Sequence, residues 1–249
     1  MLRPLTQNPR PITILVYHQI EEAPARRAPF RSLYVAPRTF ARQMLWLKLL
    51  GYRGLSMTQL QPYLRGEKTG KVVGITFDDG YLNNLTNALP VLQKYGFSST
   101  CYVVSGLLGK TNVWDEKIGI VQTPLMTSRQ LQQWRMGGQE LGSHTDQHID
   151  LLTTPDCVSA ADIARGKSSL EALTGESVAH FCYPYGRYSD QHVELVAKTG
   201  FSTATTTARS RCHAGTDLLE LPRVPVVRST TLPLFWLKLA TAYEDRRRK

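Results

Sequence analysis

Cysteine is scarce in this chain of 249 residues, and the four present, Cys101, Cys157, Cys182 and Cys212, form no CxxC pair. That spacing excludes a cysteine-built zinc site, so the four are expected to remain thiols. Long apolar runs are missing too. Ile14-Leu15-Val16-Tyr17 is typical of the longest, far short of a membrane span. Met1–Pro11 includes basic residues but lacks the apolar core of about 7–15 residues and the small-residue cleavage site of a leader. The chain is therefore expected in the cytoplasm. No predicted helix carries a dense basic stripe and no aromatic-basic ribonucleoprotein pattern appears, so nucleic acid is not an expected partner. No composition break or long Pro/Gly/Ser linker divides the chain, and residues 1–249 are predicted to form a single domain. The net charge of +10 leaves two readings open: a solvated basic surface, or attraction to a phosphorylated carrier or an anionic lipid surface.

What is present is a regular alternation. Strands are predicted at Ile12–Tyr17, Lys71–Phe77, Thr100–Val104, Gln139–Gly142, Ala179–Tyr183, Phe201–Thr205 and Val224–Val227. Between them, helices are predicted at Thr39–Leu50, Tyr81–Tyr95 (kinked at Pro90), Ser128–Met136, Ala160–Leu173 and Ser189–Lys198. Leu50-Gly51-Tyr52, Tyr95-Gly96-Phe97 and Thr199-Gly200-Phe201 repeat one junction. In each, glycine ends a helix in the left-handed conformation and an aromatic begins the next buried strand. Alternating β and α elements predict a parallel sheet covered by helices. Seven or eight strands over this length favour a distorted (β/α) barrel, of the α/β class, over an open sheet.

Two clusters carry chemistry. Thr76-Phe77-Asp78-Asp79-Gly80 follows the second predicted strand, and Ser143-His144-Thr145-Asp146-Gln147-His148 follows the fourth. Strand ends are where α/β proteins place reacting groups. Adjacent aspartates before glycine also read as a turn capping a helix. Yet side chains neighbouring at a strand end point in different directions, so one can bind metal while the other faces water. His144 and His148, spaced i,i+4, are expected on one face of a helical turn, adequate for two ligands to one ion. A carboxylate and two imidazoles suit a zinc-like ion with open positions. Asp146 reads as a solvated loop residue or as a carboxylate orienting an imidazole.

Taken together, these segments resemble the polysaccharide deacetylase (NodB-homology) family, carbohydrate esterase family 4. The likeness extends to Trp114-Asp115, to Phe181-Cys182-Tyr183-Pro184-Tyr185-Gly186-Arg187-Tyr188 and to Leu221-Pro222-Arg223. The resemblance implies a (β/α)7-8 barrel that removes N-acetyl groups from GlcNAc-type amino sugars of a polysaccharide or oligosaccharide. It implies a divalent ion, zinc first, with nickel or cobalt as substitutes, held by Asp79, His144 and His148. Asp78 matches the catalytic base. The Tyr185 N–H matches the oxyanion donor, within a loop that otherwise reads as a Pro-Gly turn. Trp114, Asp115, Tyr183 and Pro184 are candidate sugar contacts.

Two features depart from the family pattern. Cys182 stands where the third motif usually carries the arginine that tethers the base, and the usual C-terminal Leu-Xaa-His is absent. Leu15-Val16-Tyr17-His18-Gln19-Ile20 resembles the first strand of the poly-N-acetylglucosamine deacetylase branch, which implies His18 as the general acid. His213 is next in line for that role, while His180 and His192 are expected to be structural. Other readings are a deacetylase or deformylase of a nucleotide- or lipid-linked N-acyl sugar, and a silent carbohydrate-binding barrel. Leu232-Pro233-Leu234-Phe235-Trp236-Leu237-Lys238-Leu239, followed by Arg246-Arg247-Arg248-Lys249, reads as a last barrel helix with a solvated tail or as an interfacial segment beside anionic lipid at the inner membrane surface. The oligomeric state has no sequence signal.

Overall fold

In the first strand, β1 (Thr13–Tyr17), every side chain is buried, as in a parallel strand covered on both faces. The computed structural model describes residues 10–247. Along the chain follow α1 (Pro37–Leu49), β2 (Arg53–Leu55), α2 (Met57–Leu64), β3 (Val72–Phe77), α3 (Leu89–Tyr95), β4 (Thr100–Val103), α4 (Ser128–Met136) and β5 (Glu140–Ser143). The remainder is α5 (Asp156–Thr174), β6 (His180–Cys182), α6 (Asp190–Lys198), β7 (Thr203–Arg209), β8 (Leu221–Pro225) and α7 (Leu232–Ala240). All strand pairings in the sheet are parallel. β1 pairs with β3 on one side and β8 on the other, which closes a barrel of seven strands, β1 and β3 to β8. The eighth, β2, lies against the first half of β3, on the edge that β4 takes over beyond it.

The helices form where apolar spacing and end signals agree. In α1, Phe40, Met44 and Leu47 turn inward and Pro37 sits in the first turn. A reciprocal Thr127–Gln130 cap starts α4. Gly51, Gly96 and Gly200 all have left-handed φ, as the repeated junction requires.

Several boundaries differ from expectation. The predicted Tyr81–Tyr95 helix is not uniform: Asn84–Ala88 is π-helical and only Leu89–Tyr95 is regular, so Pro90 falls in the first turn, where its missing N–H costs little. The last strand begins at Leu221 instead of Val224, and Phe201 precedes its strand, which starts at Thr203. β2 follows the Leu50-Gly51-Tyr52 junction, where a strand start is expected, but its extent and all of α2 were not predicted. All four cysteines are free.

A polar network closes the N-terminal end of the barrel. Glu140 accepts from Thr58 N–H and from the Thr100 hydroxyl, while buried His180 bonds Thr58 and Thr203, each at 2.8 Å. Glu140 is held down to about 2; burial opposes this, but the hydrogen bond and charge of His180 and the hydroxyl donors outweigh it. After α7, Glu244 is fully buried against Lys238 and Arg209, and Asp245 meets Arg211 at 2.7 Å. Of the predicted basic tail, Arg248 and Lys249 lie outside the described residues.

Candidate active site

The C-terminal ends of β1, β3, β5 and β6 deliver His18, Asp78, Asp79, His144, Tyr183 and Tyr185 to one cleft of about 410 Å³. His148, Trp114, Asp115 and Thr207 complete its polar and aromatic wall. Asp79 Oδ1 stands 3.5 Å from His144 Nε2 and 3.5 Å from His148 Nε2. All three side chains are nearly inaccessible to solvent.

His144 and His148 do not share a helical turn. After Ser143 the chain runs as an irregular loop, with Thr145 and His148 both at left-handed φ, 65° and 56°. The two rings converge because that loop is pinned. Thr145 Oγ1 accepts the His148 N–H at 2.9 Å. Asp162 of α5, 1% exposed, accepts the Asp146 N–H at 3.0 Å and the Gln147 N–H at 3.3 Å through one oxygen. Gly166, one turn on, lies so close to Ser143 and Thr145 that a Cβ there would meet backbone at 2.8 Å. Asp146 takes the Ser105 hydroxyl at 2.7 Å and makes no bond to an imidazole. No spacing signal in the sequence marks Asp162.

His144 Nδ1 donates to the Cys182 carbonyl at 2.7 Å. A carbonyl only accepts, so Nδ1 carries the proton, and the neutral ring then aims its Nε2 lone pair at the Asp79 carboxylate. That arrangement calls for positive charge between them. The same demand appears in the imidazole itself: burial pushes its pKa down, but Cys182, Asp79 and Asp78 outweigh burial and hold it well above the usual range. A tetrahedral ion with bonds of about 2.0–2.1 Å separates its ligand atoms by about 3.3 Å, close to the spacing here. The donor set of one oxygen and two nitrogens therefore fits a divalent ion. Asp78, His144 and Cys182 also converge, but the Asp78 carboxylate is already engaged.

Its partner is Arg223, on β8. The guanidinium meets Asp78 Oδ1 at 2.6 Å and Oδ2 at 2.7 Å, a bidentate pair 1% and 5% exposed. Nε donates to the Thr206 carbonyl, Nη1 also to Thr76 Oγ1, and Nη2 lies 3.2 Å from Cys182 Sγ. Burial pushes the Asp78 carboxyl up, but the Arg223 charge and hydrogen bonds outweigh it and leave the group below its ordinary value. The arginine missing from the third motif is thus supplied by another strand, and the small Cys182 side chain leaves room for it.

His18 Nε2 stands 3.9 Å from Asp78 Oδ2, with the side chain 28% exposed on the cleft. β1 does lie beside β8, which brings this early histidine to the place where the chain's last strand ends. Tyr185 adopts φ 58° and ψ 0°; the N–H groups of Gly186 and Arg187 close that turn on Tyr183 and Pro184, and the Tyr185 N–H takes no part in it. Trp114 stacks on His148 with centroids 4.4 Å apart, and the Tyr185 and His148 rings meet edge to face at 4.6 Å. Asp115 is pushed up to about 6, first by burial and then by Asp79. Tyr183 is 1% exposed and gives its hydroxyl to the Leu219 carbonyl, and Pro184 is buried outside the cleft lining. The other histidines lie elsewhere. His213 pairs with Asp245 beside Cys212, His180 belongs to the opposite end, and His192 caps α6 through Ser189.

Among the described residues, five non-glycine residues have left-handed backbone: Phe30, Asp79, Thr145, His148 and Tyr185. Four line the cleft and Thr145 lies between the two histidines. Such conformations cost on the order of 1–3 kcal/mol each and persist where the surroundings enforce them.

Residues 65–204 match the family model "Polysaccharide deacetylase". The chain belongs to the polysaccharide deacetylase family. Over 223 residues, 89% of this chain and 73% of the relative, it is 28% identical to YxkH of Bacillus subtilis (strain 168), a polysaccharide deacetylase assigned by inference. It is 25% identical over 206 residues, 79% of this chain and 69% of the relative, to the poly-beta-1,6-N-acetyl-D-glucosamine N-deacetylase of Staphylococcus epidermidis. The Streptococcus pyogenes deacetylase PplD, solved with acetate, superposes with a TM-score of 0.81 and 26% identity, covering 93% of this chain and 99% of that one. The closed parallel barrel of this polysaccharide deacetylase is thus the barrel of a solved deacetylase.

Proposed function

We propose that this protein is a metal-dependent N-deacetylase acting on GlcNAc-type units of a polysaccharide or oligosaccharide. The observation that carries the reading is the Asp79 carboxylate at 3.5 Å from two imidazole nitrogens, with a second carboxylate beside it, ionised and held by Arg223. Asp79, His144 and His148 would hold the ion, zinc by donor chemistry. When bound, it would polarise the acyl carbonyl and acidify water at the site.

The remaining steps belong to the chain's own groups. Asp78 takes a proton from the attacking water, and the bidentate Arg223 fixes the carboxylate for that transfer. The Tyr185 N–H donates to the oxygen that becomes negative as the carbonyl carbon turns tetrahedral. His18 gives a proton to the departing nitrogen, because an amide anion is too poor a leaving group. Acetate and a free amine result. Trp114 offers an aromatic face to a pyranose ring, and Asp115 accepts sugar hydroxyls.

Similarity to a poly-N-acetylglucosamine deacetylase supports the polymer substrate. No observation favours a nucleotide- or lipid-linked sugar or a silent barrel. The test is acetate release over a panel of N-acetylated oligosaccharides, nucleotide sugars and lipid-linked sugars, run before and after chelation and with zinc restored. Acetate from oligosaccharides alone, lost on chelation and regained with zinc, is the expected result. Release that survives chelation would overturn the metal-dependent reading.

A further inference from the structure

The large apolar side chains left exposed fall mainly into two groups. One rims the cleft: Phe30, Ile118 and Tyr185. The other has no part in the site. Leu45 and Leu49 on α1 are 37% and 74% exposed; Trp236 and Leu237 on α7 are 43% and 37% exposed. The two helices are neighbours on the barrel wall, and Gln43 of α1 reaches the Thr230 carbonyl just ahead of α7. A stable fold gains nothing by leaving a leucine three-quarters exposed beside other apolar side chains.

Charge on this face is of one sign. Neither Pro37–Leu49 nor Leu232–Ala240 contains an acidic residue. Arg38, Arg42 and Lys48 project from α1, and Arg246 and Arg247 follow α7, all exposed. The acids next to α7, Glu244 and Asp245, are taken up by Lys238, Arg209 and Arg211. Glu22, near the start of α1 beside Arg228, is the acid at the margin of the face. No helix among the described residues is long and apolar enough to cross a membrane.

We propose that the α1–α7 face is a docking surface for an anionic lipid bilayer. Leu45, Leu49, Trp236 and Leu237 enter the headgroup boundary, and Arg38, Arg42, Lys48, Arg246 and Arg247 meet lipid phosphates. Protein interfaces typically deplete lysine and mix charge signs, whereas an apolar stripe flanked by unopposed cations is the pattern of an interfacial helix. This surface is separate from the cleft, so the inference stands whether or not the deacetylase reading does.

The experiment is co-sedimentation of the intact protein with phosphatidylcholine vesicles and with vesicles containing phosphatidylglycerol. Binding is expected to the second only, and to weaken as salt rises. Leu49→Ser with Trp236→Ser should lower the partition constant at least tenfold. Arg42→Gln with Lys48→Gln should lower it by about 25-fold, each basic residue contributing roughly fivefold. Acetate release from a soluble substrate and the circular dichroism spectrum should be unchanged in both variants. Three results would overturn the proposal: no binding to anionic vesicles at low salt, equal binding by parent and both variants, or a concentration-dependent dimer in size-exclusion chromatography that Leu49→Ser abolishes. The last would assign the face to a second copy of the chain.

Discussion

Arg223 and Asp78 face each other from β8 and β3, with β1 between them, and join through two hydrogen bonds of 2.6 and 2.7 Å inside the barrel. The pair fixes the orientation of the proposed base, and the charges offset each other where neither is solvated. Arg223→Ala should lower kcat by about 100-fold, the cost of a misplaced reacting group, while bound metal stays constant. Adding Cys182→Arg, which returns an arginine to the third-motif strand, should recover part of the loss. Steady-state acetate release with metal analysis checks both, and no recovery in a folded double variant would mean that the two strands are not interchangeable.

Ligand and base separate cleanly. Asp79→Ala and His148→Ala should lose metal and turnover together, whereas Asp78→Asn should retain metal and lose turnover. Elemental analysis of the purified variants distinguishes them; full turnover in Asp78→Asn would remove the base assignment.

His18 is testable through the leaving group. His18→Ala should cut deacetylation of a sugar amide by about 10²–10⁴-fold and affect an activated aryl acetate far less, since that leaving group needs no proton. An equal drop on both substrates would make His18 a substrate contact.

Asp162 positions the histidine loop without touching either ring. Asp162→Ala should weaken metal affinity by roughly 10–100-fold, the usual effect of removing a group that orients a ligand. Asp162→Asn keeps an oxygen acceptor for the two N–H groups and should restore most of it. Metal titration followed by fluorescence or calorimetry reads this independently of turnover.

Glu140 predicts the acid limb of stability. Its folded value, about 2, lies below the ordinary 4.5. The folded state therefore binds the proton less readily, so the contribution is complete above about pH 4.5 and is lost as pH falls toward 2. The difference amounts to on the order of 3 kcal/mol. Glu140→Gln should lower the melting temperature at pH 7 and flatten its decline between those pH values; parallel curves for the two proteins would mean Glu140 carries no such linkage.

The barrel was legible because β1 and β3 are predominantly apolar and β-branched and because Gly51, Gly96 and Gly200 mark helix ends. The extent of β2 and the whole of α2 were not, since three residues show no period and Pro62 interrupts an eight-residue helix. In the site, Asp78, Asp79, His144 and His148 announce themselves by local clustering. Arg223 and Asp162 do not, because each acts through a partner 145 or 16 residues away and only the closed fold supplies the proximity. The helical turn expected for His144 and His148 failed for a related reason: spacing alone does not reveal that Asp162 and Thr145 hold the loop left-handed.

The way β1 is shared between β3 and β8 sets an order of assembly. As the chain leaves the ribosome, Asp79, His144 and His148 all emerge before β8 exists. A nascent chain therefore carries every residue proposed to capture an ion long before it carries the guanidinium that aligns Asp78. Hydrolysis must wait for the final strand to slot in beside the first, because Arg223 arrives only with β8.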